Sequence, residues 1–255
     1  MSLVLSLFPG VGLFDAGFEA EGFCTVRGPD VLWGGDVRRF HPPSGRFDGI
    51  IGGPPCQAFS SASGGTSTAE NLIPEFERVI VEAAAPWFVM ENVPQAPLPV
   101  VPGYVVAATL LNNRWLGEEQ NRVRRFSFGA RASLSWGEFP AKAVAALRRE
   151  EVALEHPIKE GCFTANGTQW EPRRDLGRGR LRGRSRSCRT NAEFQRGCRL
   201  QGVPDGFLAD APFTVEGKIR VLGNGVPIPM GRAVARSVRA AIGVLQRVDG
   251  ERGAA

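Results

Sequence analysis

Short apolar runs punctuated by glycine and proline recur through the first half of this 255-residue chain. Val4 to Phe8 is a continuous apolar run closed by Pro9-Gly10-Val11-Gly12. Phe14, Phe18 and Ala20 to Phe23 then fit one helix ending near Gly22. Phe47 to Ile51 forms a second run, closed by Gly52-Gly53-Pro54-Pro55. Phe76, Val79, Ile80 and Ala83 recur at helical spacing, which predicts an amphipathic helix starting after Pro74 and stopped by Pro86. Trp87 to Met90 reads as a third strand, Val105 to Leu111 as another helix, and Phe126 to Phe128 as a later strand. Apolar strands alternating with helices predict an α/β fold, with a Rossmann-like, mostly parallel sheet covered on both faces.

After about residue 130 the rhythm fails. Helical potential at 139–154 gives way to Gly, Arg and Ser over Leu176 to Ser187, where loops, short strands and mobility before a partner binds are expected. Order returns with a helix over Asn191 to Leu200, a turn at Gly202 to Gly206, and a helical pattern over Ile228 to Leu245. The expected organisation is a catalytic and cofactor-binding domain at 1–129, a small arginine-rich recognition region at 130–190, a returning segment at 191–250 and a tail at 251–255.

Hydrophobic residues are 43% and charged residues 22% of the chain, so disorder throughout is excluded. The N-terminal apolar run is too short to span a bilayer and lacks a leader's layout, which predicts an intracellular, cytoplasmic protein without a membrane partner. Five cysteines without a CxxC pair, and only His41 and His156, support neither a disulfide scaffold nor a metal site. The net charge of +5 is unevenly placed. Residues 173–199 hold ten arginines against two acids, a net of +8, while the remainder carries 21 basic and 24 acidic side chains, a net of −3. A cationic segment on a slightly acidic body is the footprint of a polyanion partner. Arg173, Arg174, Arg178, Arg180 and Arg182 are the expected phosphate contacts.

Three polar constellations each follow an apolar strand, where open parallel sheets bind ligands. Phe8-Pro9-Gly10-Val11-Gly12 allows close backbone approach. It is neither GxGxxG nor a P-loop, and an adenosine-containing cofactor without a triphosphate suits it better than a purely structural turn. In Gly52-Gly53-Pro54-Pro55-Cys56-Gln57 the prolines hold the thiol at the strand end. A buried inert cysteine is the commoner fate of this residue type, but two glycines, two prolines and a glutamine do not resemble core packing. Ser60 to Thr68, small and polar, suits a lid. In Met90-Glu91-Asn92-Val93-Pro94 a carboxyl sits where a buried strand leaves the sheet, either as a satisfied structural acid or as a proton donor with a raised pKa. A held thiol, a buried acid and a cofactor crevice supply most of what methylation of cytosine C5 needs. Thiolate adds to C6, an acid at N3 relieves the charge, and C5 becomes nucleophilic. The target base would have to leave the stack.

In these residues the sequence resembles the cytosine-C5 DNA methyltransferase family. Phe8-x-Gly10-x-Gly12 is similar to its cofactor turn, Pro54-Pro55-Cys56-Gln57 to its nucleophile motif, and Glu91-Asn92-Val93 to the motif contacting the flipped cytosine. Gln120-Asn121-Arg122-Val123-Arg124 resembles the Gln-x-Arg-x-Arg motif. Arg199 to Asp205 resembles the support of the recognition region, and Gly223-Asn224-Gly225-Val226-Pro227 the motif whose helix completes the cofactor pocket. The resemblance implies a monomeric, S-adenosylmethionine-dependent enzyme of double-stranded DNA that releases S-adenosylhomocysteine. It implies Cys56, Glu91, Arg122 and Arg124 as catalytic. Phe8, Gly10, Gly12, Asp36, Pro55, Asn224 and Gly225 would bind the cofactor, and Gln57, Asn92, Val93 and Gln120 the substrate. The helix usual after the second strand is missing, leaving Asp30 as the stand-in for the ribose acid. Gly161 to Gly167 is the candidate ordered recognition loop, weighed against a simple turn. Action on RNA, or DNA binding with a decayed site, are the alternatives.

Overall fold

The computed structural model describes residues 2–56, 59, 70–134, 136–148, 161–169 and 190–253, with side chains omitted at 168–169 and 244–253. Its centre is a six-stranded mixed sheet. β1 (Leu3–Leu7), β2 (Cys24–Arg27), β3 (Gly49–Gly52) and β4 (Trp87–Asn92) run parallel, β6 (Val123–Arg131) runs against them, and β5 (Tyr104–Asn112), antiparallel to β6, shares their direction. The strand order is β2-β1-β3-β4-β6-β5.

Alternation along each strand feeds two cores. Val4, Ile51, Val89, Phe126 and Phe128 face one side, where α1 (Leu13–Glu19), α3 (Phe139–Ala145) and α6 (Ile228–Gly253) pack. Leu5, Leu7, Ile50, Phe88 and Met90 face the other, covered by α2 (Ile73–Ala83). Burial on both faces is why these strands read as unbroken apolar runs. Trp136 stacks on Trp87 with ring centroids 5.6 Å apart, so the chain from 136 to 145 is part of the sheet's covering layer rather than separate from it. A third, smaller core joins α4 (Asn191–Gln201), α5 (Val215–Asn224) and the hairpin of β7 (Cys162–Thr164) and β8 (Gly167–Gln169) to Val11 and Leu13 of the first glycine turn.

Three expectations need correction. Val105 to Leu111 is not helical but lies within β5, an edge strand whose Val105 and Leu110 project outward while Tyr104, Val106 and Ala107 pack on the cores. The β-branched residues fit a pleated edge, and pairing with β6 decides the conformation. Residues 215–224, where the sequence shows only Val221-Leu222 leading into Gly223-Asn224-Gly225, form α5, capped by the Thr214 hydroxyl accepting from Gly217 N–H. The expected tail from Glu251 is helical as far as Gly253, because backbone hydrogen bonding continues past the last apolar position. Among the described residues no helix is long and apolar enough to cross a membrane.

Candidate active site

The three polar constellations meet along the carboxyl edge of β1, β3 and β4. Since β5 and β6 run antiparallel to each other, the end of β5 and the start of β6 lie at the same edge, with Asn112 opposite Val123 and Asn92 opposite Arg125. Residues 120–125 are thereby brought beside the ends of β3 and β4.

Cys56 is half-buried, four residues beyond β3, with its carbonyl accepting from Phe59 N–H. Asn92 fixes the approach to it. Its Nδ2 donates to the Pro54 carbonyl at 3.1 Å and its Oδ1 accepts from Val93 N–H at 2.8 Å, both in buried surroundings. Asn92 and Val93 are thus wholly or nearly buried, and Asn92 supports the cysteine loop.

Glu91 lies opposite Phe126 on β6. Arg124, two residues earlier on the same face, reaches it diagonally, Nε to Oε1 at 3.0 Å. A Cβ on Gly53 would stand 3.1 Å from Glu91 Oε2, so the carboxyl sits directly against the backbone leading to Cys56. Burial pushes the Glu91 carboxyl up, with Arg124 and Arg122 pulling it back. Burial likewise raises the Cys56 thiol, the charge of Glu91 adds to the rise, and Arg124 and Arg122 oppose it. Burial thus works against the charged forms of both groups, and the two arginines work for them.

Arg122 and Gln120, expected at the chemistry and at the substrate, are both buried and hydrogen-bonded to neighbouring segments. Arg122 is 1% exposed, and its guanidinium donates to the carbonyls of Phe163 at 2.7 Å, Gly225 at 2.9 Å and Gly223 at 3.2 Å. Gln120 donates to the Leu200 carbonyl and to Gln201 Oε1, and accepts from Phe163 N–H. Gln201 in turn donates to the carbonyls of Leu222 and Gly225. These residues tie the β7–β8 hairpin, α4 and the end of α5 to the sheet edge. Phe163 is fully buried against Gly197, so the segment Gly161 to Gly167 is an ordered hairpin seated on the helices rather than a free turn.

At the end of β1, Phe8 adopts φ 55 and Gly10 φ 55, turning the chain sharply out of the sheet. Asp30 and Trp33 hold this turn. Asp30 Oδ2 accepts from Gly10 N–H at 2.8 Å, and Trp33 Nε1 donates to the Gly10 carbonyl at 2.7 Å. Two short 3-10 turns, Val31–Trp33 capped by Asp30 and Val37–Arg39 capped by Asp36, occupy the stretch between β2 and β3. Asp36 pairs with Arg38, which holds its carboxyl below the usual range. Gly35 packs on Pro29 and Asp30, placing the two aspartates near each other. Nothing lies within 4 Å of where a Gly10 Cβ would be, so the turn faces open space. Carboxylates beside an aromatic ring and an open glycine turn match hydroxyls and an amine, and the residues fit an adenosine-type cofactor. Asn224 is exposed and Gly225 half-buried at the end of α5, next to the same turn through Leu13.

Gln57, the Ser60 to Thr68 lid, and Arg173, Arg174, Arg178, Arg180 and Arg182 lie outside the described residues. Sequence reasoning missed Arg125, whose guanidinium donates to the carbonyls of Pro94, Ala96 and Pro97 and pins the loop after Glu91. A third arginine directly after the Arg-x-Arg pair was the available signal.

A family model described as C-5 cytosine-specific DNA methylase matches residues 34–97, a stretch containing Cys56 and Glu91. Curated relatives include the orphan methyltransferase M.SPRI of Bacillus phage SPR, 30% identical over 167 residues, which are 51% of this chain and 38% of that protein. Another is the type II methyltransferase M.NgoPII of Neisseria gonorrhoeae, 30% identical over 165 residues, covering 51% of this chain and 48% of that protein. The matched stretch spans less than half the length of either relative. Among solved structures, the methyltransferase EhMeth of Entamoeba histolytica superposes with a TM-score of 0.61 over 95% of this chain and 99% of that one. At 12% identity that likeness concerns the fold.

Proposed function

We propose that the chain is a cytosine-C5 DNA methyltransferase that methylates C5 of a cytosine turned out of double-stranded DNA, in line with the family model matched over residues 34–97. The observation that carries this reading is the Glu91–Arg124 pair set against the backbone of the Cys56 loop. A thiol, a carboxyl and a guanidinium at one sheet edge support the roles of nucleophile, acid and cation on a single base.

S-adenosylmethionine, when bound, supplies an electrophilic methyl group. Phe8 would lie against the adenine, Asp36 would take its amino group and Asp30 the ribose hydroxyls. Gly10, Gly12, Pro55, Asn224 and Gly225 would border the pocket. Cys56 Sγ, its proton lost to solvent, adds to C6 of the cytosine. Glu91 delivers its proton to N3, so that the electron pair displaced by addition is held at C5 as an enamine rather than as a ring anion. Arg124 keeps the Glu91 carboxyl aimed and compensates the charge it acquires. Once C5 carries the methyl group, loss of the C5 proton to a base expels the Cys56 thiolate, and return of the N3 proton to Glu91 restores the neutral aromatic ring. The arginine segment 173–199 would follow DNA phosphates, which position without specifying sequence.

Bisulfite sequencing of DNA from cells expressing the chain tests this reading. New protected cytosines in one short sequence context, absent with Cys56→Ala, are expected. Protection of structured RNA but not duplex DNA by the purified protein would overturn the choice of substrate.

A further inference from the structure

Arg27, the last residue of β2, has no role in the chemistry above, yet its guanidinium lies on the glycine turn. A Cβ on Gly12 would overlap Nη2 and Cζ of Arg27, so glycine at this position makes room for a cation as well as for the left-handed φ of 84°. The guanidinium is anchored by one nitrogen. Nε donates to Oδ2 of Asp15 at 3.0 Å, and Asp15, wholly buried, also accepts from the Ser6 hydroxyl. That contact already compensates the buried carboxylate. Among the described residues neither Nη has an acceptor, and the side chain is about half exposed.

Two backbone donors of the turn are already committed. Gly10 N–H goes to Asp30 and Gly12 N–H to the Pro9 carbonyl. Asp30, which binds the turn itself, is an acid, and Asp36 beyond it is paired with Arg38. Any ligand that meets them with hydroxyls and an amine but also carries a carboxylate must turn that carboxylate toward a donor. The two Nη groups beside Gly12 are a planar fork suited to it.

We propose that Arg27 is the receptor for the carboxylate of the cofactor's amino-acid end. This rests on the cofactor reading given above and adds the residue that distinguishes an α-amino acid from a plain amine at that end.

The test compares two ligands that differ only in this group, S-adenosylmethionine and its decarboxylated analogue, by titration calorimetry. Wild-type protein should bind the carboxylate form more tightly. Arg27→Ala should weaken it about tenfold or more, the scale of a lost charge-assisted hydrogen bond, while leaving the decarboxylated form unchanged or tighter. Because Arg27→Ala also strips Asp15 of its counter-charge, the double variant Asp15→Asn/Arg27→Ala is measured alongside. Its retained affinity for the decarboxylated form shows the turn intact. Arg27→Lys should recover part of the discrimination. Equal weakening of both ligands in both variants would overturn the proposal. Wild-type protein that binds neither ligand would overturn the cofactor reading itself.

Discussion

Replacing Arg122 or Arg124 by methionine separates two arginines that the sequence presents as equivalent members of one motif. In Arg122→Met the carbonyls of Phe163 and Gly223 lose their guanidinium donor, whereas Gly225 keeps Gln201 Nε2. Leaving a buried acceptor unpaired costs about 1–3 kcal/mol. Two such losses, partly offset because a buried cation is no longer desolvated, amount to about 2–5 kcal/mol. At about 2–4 °C per kcal/mol for a chain of this size, Tm should fall by roughly 5–15 °C. Arg124 makes one ion pair with Glu91 and is less deeply buried, so Arg124→Met should change Tm by only a few degrees while abolishing methyl transfer. Differential scanning calorimetry and a tritiated-methyl transfer assay on the same preparations measure both effects. An Arg122→Met protein within about 2 °C of wild type, or an Arg124→Met protein destabilised more than it, would refute the division into strut and participant.

The remaining predictions concern the thiol and the hairpin. Alkylation of Cys56, followed by peptide mass spectrometry to separate it from the other cysteines, should rise with pH with a midpoint above that of an ordinary thiol, because burial disfavours the thiolate. Glu91→Gln removes a negative neighbour and should move that midpoint down, whereas Arg124→Met should move it up; shifts of the opposite sign would contradict the geometry. Gly223→Ala places a methyl into the backbone of Thr164 and should cost about 1–3 kcal/mol by overpacking, while loosening DNA binding through the displaced hairpin. An unchanged Tm and unchanged electrophoretic mobility shift would show that the hairpin does not sit on α5 as described.

Much of the fold was legible because burial on both faces writes strands as continuous apolar runs. Val4 to Leu7, Ile50–Ile51 and Trp87 to Met90 could be read without tertiary information. The edge strand β5 could not. Its inward and outward positions are all small or apolar, so neither period dominates and the partner strand decides. At the site, Cys56 and Glu91 stand out by their turn chemistry, and the structure pairs Arg124 with Glu91. The work of Arg122, Gln120 and Asn92 was not legible, because a polar residue in a motif looks alike whether it faces a ligand or satisfies buried carbonyls. Only the partners at Phe163, Gly225 and Pro54, up to 103 residues away, distinguish the two. Arg27 carries no signal in the sequence for a related reason: it is near Gly12 in space through strand pairing, not through sequence.

The central claim is that Cys56 attacks a cytosine ring, and a duplex carrying 5-fluorocytosine at the methylated position tests it most directly. Fluorine at C5 cannot leave as a proton does, so the covalent adduct should persist after methyl transfer. A denaturation-resistant protein–DNA complex is predicted with S-adenosylmethionine, mapped to the Cys56 peptide and absent in Cys56→Ser. Methylation of ordinary cytosine without any such adduct, or an adduct that survives in Cys56→Ser, would contradict the account.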